Sequence, residues 1–253
     1  MTEEKENPKL YLITGHQGAG KTEGISSLLP DHPFSPTVYQ HNAKMREAHE
    51  QHVFHTDSQD TYRLKTSQAV KELSHYIDQQ IQRKENIYIE IDITKKADID
   101  FYENLTKIKL KQHHPEKKDL AYDTHAIYLL CDTYFESQRK AAAKNPDYDT
   151  YSGRMEIIDH HELTVRSAIY STYKCEKQVF YHQDGKPALA LHTHKGKVIQ
   201  ASPLILNTEY CRTLQAHAKN DINSHIRRTA KAAIAATSQK KITAAKKGKK
   251  PQI

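Results

Sequence analysis

The chain has no stretch near the ~18 consecutive apolar residues that a membrane-spanning helix requires. Its start, Met1-Thr2-Glu3-Glu4-Lys5-Glu6-Asn7, is polar and acidic, unlike a secretion signal or a transit peptide. Cysteine is scarce: Cys131, Cys175 and Cys211 are scattered, odd in number and without metal spacing. They read as reduced thiols in a cytoplasmic protein, and a disulfide framework is excluded. Histidine is plentiful at 17 residues, yet no H-x-x-x-H or H-E-x-x-H pattern occurs, so surface and core histidines are expected rather than a zinc site. There is no internal repeat and no N-K-x-D element, so nothing in the residues chooses between ATP and GTP. Acidic residues stop at Asp221.

That last absence explains the charge. The nine cations beyond Asp221, from Arg227 to Lys250, account for the net +7, because residues 1–221 carry 29 basic against 31 acidic side chains, a net of −2. The expected organisation is therefore a nearly neutral domain over 1–221 and a basic appendage over 222–253, helical to about 236 and frayed beyond it. Such a tail predicts either weak, salt-sensitive contact with nucleic acid or simple solubilisation. No aromatic residue interleaves with its lysines, which removes base stacking. The remaining 221 residues are ample for a sizeable core.

What is present begins at Gly15. The run Gly15-His16-Gln17-Gly18-Ala19-Gly20-Lys21-Thr22 matches the phosphate-binding loop pattern G-x-x-x-x-G-K-[ST] in full. It follows the apolar run Leu10-Tyr11-Leu12-Ile13-Thr14 and precedes a helix expected over 22–29, the strand–loop–helix setting that the motif needs. In that setting backbone N–H groups of the loop surround a polyphosphate, with the dipole of the following helix behind them. Lys21 is expected to reach the β- and γ-phosphates and the Thr22 hydroxyl to bind Mg²⁺.

Apolar runs alternate with helical periodicity along most of the chain, which predicts an α/β fold with a mainly parallel sheet. Strands are expected near 9–14, 37–40, 86–91, 125–131 and 176–182, and helices near 60–84 and 133–144. The first of these helices should bury Val70, Leu73, Ile77 and Ile81. Asp184-Gly185-Lys186 reads as a hairpin turn leading to late strands at 189–193 and 197–200. The architecture expected is a P-loop NTPase three-layer sandwich with a helical lid and a small late β-hairpin.

Phosphoryl transfer needs a carboxylate to support the metal, an acceptor site, a base and cations over the moving phosphoryl group. Glu90 and Asp92 end the run Ile87-Tyr88-Ile89-Glu90-Ile91-Asp92, where open α/β sheets place their sites. They are candidates to hold a metal through water or to bind an acceptor; strand-end carboxylates also cap helices. Arg139 and Arg154 flank Asn145-Pro146-Asp147-Tyr148-Asp149-Thr150-Tyr151-Ser152-Gly153, a polar break expected to be a mobile lid between two helices.

With these elements in order, residues 10–200 resemble the zeta toxins, P-loop kinases related to UDP-N-acetylglucosamine kinases. The resemblance rests on G-H-Q-G-A-G-K-T, on I-Y-I-E-I-D ending a strand, on the helix with Arg139, on the N-P-D lid, and on R-M-E-I-I-D-H-H-E-L from Arg154 to Leu163. It implies that Lys21 and Thr22 hold the nucleotide phosphates and Mg²⁺, that Glu90 faces the acceptor, and that Arg139 and Arg154 are lid cations. The chain departs from the family at one point. Where the family has an Asp-x-Asp-x-Phe-Lys/Arg-x-x-His element whose second Asp is the base, this chain has His41-Asn42-Ala43-Lys44-Met45-Arg46-Glu47-Ala48-His49. Ala43, which has no proton acceptor, aligns with that base; either a neighbour such as His41 takes over, or the acceptor site lies elsewhere, or the usual transfer is lost. Asn42 and Arg46 are carried over as substrate-binding positions.

Three functions follow as expectations. The first is an ATP- or GTP-dependent kinase acting on a hydroxyl of a small metabolite, a nucleotide sugar by resemblance. The second is a nucleotide-binding module without the base, acting through an antitoxin-like or other protein partner. The third is a polynucleotide or RNA kinase that uses the basic tail.

Overall fold

The computed structural model describes residues 8–16, 18, 19, 21, 38–54, 57–93, 96–116, 121–131, 133–170, 175–183 and 186–202, with 212, 213, 215, 216, 227, 228 and 230–236 toward the C-terminus. Gln17, Gly20 and Thr22 of the motif, the expected helix 22–29, Asp184, Gly185, Cys211, the domain boundary expected at 221 and the tail beyond 236 lie outside the described residues.

A mixed, mostly parallel seven-stranded sheet has the strand order β2 (Tyr39–Gln40), β3 (Ile87–Glu90), β1 (Lys9–Gly15), β4 (Asp123–Leu130), β5 (Glu176–Gln183), β6 (Lys186–His194), β7 (Lys197–Ala201), and the chain divides into two compact units. The first unit comprises Met1–Ile13, His32–Asp92 and Ala97–His125, and the second Thr14–Asp31, Ile93–Lys96 and Ala126–Ile253.

In the first unit β3 (Ile87–Glu90) lies between β1 and β2 (Tyr39–Gln40), parallel to both. All four residues of β3 are buried, which is why its sequence lacks polar alternation. Helix α1 (His41–Phe54) starts directly after β2. Helix α2 (Gln59–Arg83) is capped by Ser58, whose Oγ accepts from Thr61 N–H, and ends at Lys84 in the left-handed region at φ 56°. Its buried stripe is Ala69, Leu73, Ile77 and Ile81, whereas Val70 is exposed. An i,i+4 row slants by about 40° per step around a helix, so at this end the stripe is centred on Ala69 rather than Val70. Helix α3 (Lys96–His113) buries Ile99, Tyr102, Thr106 and Leu110. Asp78 of α2 binds its Lys109 at 2.8 Å and its His113 at 3.0 Å.

In the second unit β4 leads to α4 (Tyr134–Ala142), whose N-cap Thr133 accepts from Glu136 N–H. A 3₁₀ turn (Pro146–Asp149) follows, then α5 (Tyr151–Tyr170). Tyr148 of the turn packs with Ala141 and Ile157. Antiparallel β5 (Glu176–Gln183), β6 (Lys186–His194) and β7 (Lys197–Ala201) follow. Strand β6 is longer than expected and already includes Lys186. Lys195 and Gly196, at φ 44° and 81°, form the tight connection between β6 and β7, the positive-φ pair that short hairpin loops favour. Residues 230–236 are helical, inside the basic helix expected there. No helix among the described residues is long and apolar enough to cross a membrane.

Candidate nucleotide and acceptor sites

The phosphate-loop residues that are described belong to the second unit, at the end of β1. Two glycines of the motif are required by their surroundings. A Cβ on Gly15 would stand 2.3 Å from the Leu129 carbonyl oxygen, so only glycine allows the loop to leave β1 against β4. Gly18 has φ +78°, and a Cβ there would meet the Ser137 carbonyl oxygen at 2.5 Å. Ala19 N–H donates to the His16 carbonyl at 3.2 Å and closes the turn. Lys21 is in helical conformation and buried, and its Nζ donates to the Gly15 carbonyl at 2.6 Å and the His16 carbonyl at 3.2 Å. A lysine folded onto its own loop in this way holds a positive charge where the anion is expected.

The His16 side chain is engaged with the protein itself. It is fully buried, its Nε2 accepts from Cys131 N–H at 2.7 Å, and its Nδ1 lies 2.8 Å from Ser137 Oγ. His161 of α5 packs on the ring at a centroid distance of 4.5 Å. Nothing in the spacing of the motif announces this cluster; the sequence signal was a bare His160-His161 doublet.

The segment expected to form a lid is held by its own polar groups. Asn145 Oδ1 accepts from Asp147 N–H at 3.0 Å, and Thr150 Oγ1 donates to the Asp147 carbonyl at 2.6 Å and accepts from Gly153 N–H at 3.2 Å. Gly153 sits where a Cβ would be 2.3 Å from the Asp147 carbonyl oxygen, which fixes how closely α5 approaches the turn. Arg154 pairs with Asp149 at 2.6 Å, and this guanidinium holds the Asp149 carboxyl below its ordinary pKa. Arg139 is exposed on α4.

The remaining candidates belong to the first unit. Glu90 ends β3, in register with Gln40 of β2 on one side and Ile13 of β1 on the other, and it is buried. Asp92 follows two residues on and is half-buried. His41 and Asn42 open α1 and are buried, whereas Ala43 is exposed and Arg46 half-buried. His41 Nδ1 and Asn42 Nδ2 are buried without a hydrogen-bond partner among the described residues. Around His41 stand Tyr39, with ring centroids 6.2 Å apart, and Tyr102, edge-on at 6.1 Å. Burial first, and the Lys44 charge second, hold the His41 imidazole below its ordinary pKa, which favours the neutral form. Burial pushes the Tyr102 phenol up. No group of three or more His, Cys, Asp or Glu among the described residues has the arrangement of a metal site. Cys131 and Cys175 are buried.

No family model and no curated protein matches the chain; the likeness is to solved structures. The native AvrRxo1-ORF1:-ORF2 complex is similar over 92% of this chain and 76% of that one, at TM-score 0.50 and 11% identity. The AvrRxo1-ORF1:-ORF2 structure with ATP is similar over 83% of this chain and 63% of that one, at TM-score 0.49 and 12% identity. A structure from the PezAT chromosomal toxin-antitoxin system of Streptococcus pneumoniae is similar over 73% of this chain and 71% of that one, at TM-score 0.46 and 13% identity. At such identities the likeness concerns fold alone. The chain shares the α/β fold of the native AvrRxo1-ORF1:-ORF2 structure, the fold that its resemblance to the zeta-toxin P-loop kinases implies.

Proposed function

We propose that the protein is a kinase that takes the γ-phosphoryl group of ATP or GTP and passes it to a hydroxyl of a small metabolite. The observation that carries this reading is the loop itself: Gly15 and Gly18 fit where no side chain can, and Lys21 is buried against the loop carbonyls. A nucleotide sugar is the acceptor class to which the zeta-toxin resemblance points.

In the reaction the acceptor oxygen attacks the γ-phosphorus, its proton passes to a base, and the bond to the β-phosphate oxygen breaks to release the nucleoside diphosphate. Lys21, with Arg139 and Arg154 from the lid, stabilises the charge on the phosphoryl group in transit. His41 serves as the base. Its burial beside Asn42, an Nδ1 without a hydrogen-bond partner among the described residues and the exposed position of Ala43 support this assignment over any role for residue 43. Asn42, Arg46 and Glu90 bind the acceptor. The Thr22 hydroxyl and a strand-end carboxylate, Asp92 in this reading, would hold Mg²⁺; an all-oxygen donor set suits that ion. Bound there, the ion neutralises phosphate charge.

The AvrRxo1-ORF1:-ORF2 structure is a two-component complex, which supports a protein partner for this chain as well. The basic tail is assigned at most a weak nucleic-acid contact, and the cytoplasm is the expected compartment.

The test is incubation with γ-labelled ATP or GTP and a panel of UDP-sugars, nucleosides and RNA 5′ ends. Label is expected in one acceptor class and to vanish in Lys21→Ala. Tight nucleotide binding that depends on Lys21, with no transfer to any acceptor, would instead make the chain a binding module.

A further inference from the structure

His16 occupies the first variable position of the phosphate loop, and its side chain makes none of the contacts that the motif requires. Its hydrogen bonds define its chemical state. A backbone N–H can only donate, so the 2.7 Å contact from Cys131 N–H requires a lone pair on His16 Nε2. A neutral imidazole with Nε2 unprotonated carries its proton on Nδ1, which therefore donates to Ser137 Oγ at 2.8 Å. One ring thus bonds the residue after β4 and the second turn of α4 at once. Cys131 returns a second contact, its Sγ lying 3.5 Å from the Gly18 carbonyl oxygen. The Ser137 backbone fits against Gly18 as well, 2.5 Å from where a Cβ would stand.

We propose that His16 is a positioning residue, held as the neutral Nδ1–H tautomer, that fixes the phosphate loop against β4 and α4 and makes triphosphate binding fall when the ring takes up a proton. The proposal rests on the loop being the nucleotide site. A proton on Nε2 would replace the acceptor of Cys131 N–H with a second donor, two donors facing each other in a fully buried place. The ring would have to turn away, and the loop with it. The titratable groups that face His16 among the described residues are His161 on α5, Cys131 after β4, and Lys21, whose Nζ lies 3.2 Å from the His16 carbonyl oxygen. From α4 it meets Ser137, which does not titrate. The Lys21 ammonium opposes a second positive charge on the ring, and His161 does the same whenever it is protonated.

The sign is fixed by the linkage. A proton taken up only by the non-binding form makes affinity rise with pH and fall by up to about tenfold per pH unit below the titration point of the ring. The experiment measures ATP dissociation constants from pH 5 to 8 for the parent chain and for His16→Gln and His16→Asn. Glutamine places an oxygen near the Nε2 position and cannot titrate; asparagine reaches only toward Ser137. Expected are a His16→Gln affinity within about threefold of the parent at pH 8 that then loses the acid dependence, and a His16→Asn affinity at least tenfold weaker throughout. Protonation of the nucleotide phosphates is common to all three, so the difference between parent and His16→Gln isolates the ring. Identical pH profiles for the two overturn the proposal. An independent readout needs no variant: in the ¹⁵N-labelled parent, Nε2 of His16 should be the unprotonated nitrogen near neutral pH, and a protonated Nε2 overturns the tether. If the parent binds no nucleotide at any pH, the functional reading fails, while the ¹⁵N measurement still decides the tether.

Discussion

Arg154 Nη2 donates to Asp149 Oδ1 across 2.6 Å, tying the first turn of α5 back to the 3₁₀ turn that precedes it. Both side chains are more than half exposed, so water and salt screen the pair and its contribution to stability is small. Arg154→Ala is therefore expected to leave the unfolding free energy nearly unchanged. Under the kinase reading the same variant lowers kcat at least tenfold, because an arginine over the transferring group acts mainly in the transition state. Urea melts and steady-state kinetics on one preparation separate the two effects. Parent-like turnover would exclude Arg154 from the lid role.

Gly18 gives a sharper structural test. It combines φ +78° with a Ser137 carbonyl oxygen 2.5 Å from any added Cβ, so Gly18→Ala suffers backbone strain and a clash with helix backbone together. A loss of about 1–3 kcal/mol is expected, with ATP affinity falling at least tenfold as the loop shifts. Thermal melts and nucleotide titration read the two effects. A variant with parent stability and parent affinity would show that the loop tolerates a different path.

Much of the fold was legible because it depends on chemistry that repeats along the chain. Strand β3 announced itself as an uninterrupted apolar run, and Gly15 and Gly18 as members of a fixed motif whose spacing mirrors one turn of backbone. Helix α3 was not read from the sequence, although Ile99, Tyr102, Thr106 and Leu110 are its buried face. A threonine in the stripe and Phe101 and Ile108 on the exposed side blurred the period. Val70 misled for a related reason: one turn of drift in an i,i+4 row decides whether it or Ala69 is buried. Among the candidate site residues, Lys21 and Glu90 stand out in the sequence by position alone, Lys21 within the motif and Glu90 at the end of an apolar run. The use of His16 does not, since its partners Cys131, Ser137 and His161 stand more than 110 residues away and meet it only in the folded chain.

Lys177 on β5 is fully buried, and its Nζ donates to the Ala168 carbonyl near the end of α5 at 2.5 Å. Burial lowers its pKa from the ordinary lysine value to about 7, with the Cys175 thiol opposing the shift slightly. The folded chain therefore gives up a proton that the unfolded chain keeps between about pH 7 and pH 10. Over that window unfolding free energy should rise with pH, by up to about 1.4 kcal/mol per unit from this group. Lys177→Met removes the proton from both states. The expected result is a stability difference, parent minus variant, that grows more favourable to the parent between pH 7 and 9.5 in urea unfolding. A difference that stays constant would place the lysine in a far more hydrated setting than its burial indicates.

His41 gives the prediction closest to the chemistry. Its neutral form is favoured first by burial and then by the charge on Lys44, which pairs with the exposed Glu72 and lies over the Tyr39 ring at 5.5 Å. A base with a lowered pKa stays unprotonated into mildly acidic solution, so the acid limb of kcat/KM should fall below the ordinary histidine range near 6.5. Lys44→Gln removes the second cause and leaves the first. The limb should then move up by a fraction of a pH unit while staying below that range. His41→Ala should lower kcat at least a hundredfold with little change in ATP affinity, since general-base catalysis contributes about 10²–10⁴-fold and acts in the transition state rather than in nucleotide binding. His41→Ala with full turnover would remove the imidazole from the reaction. An acid limb that does not respond to Lys44→Gln would mean that another group sets it.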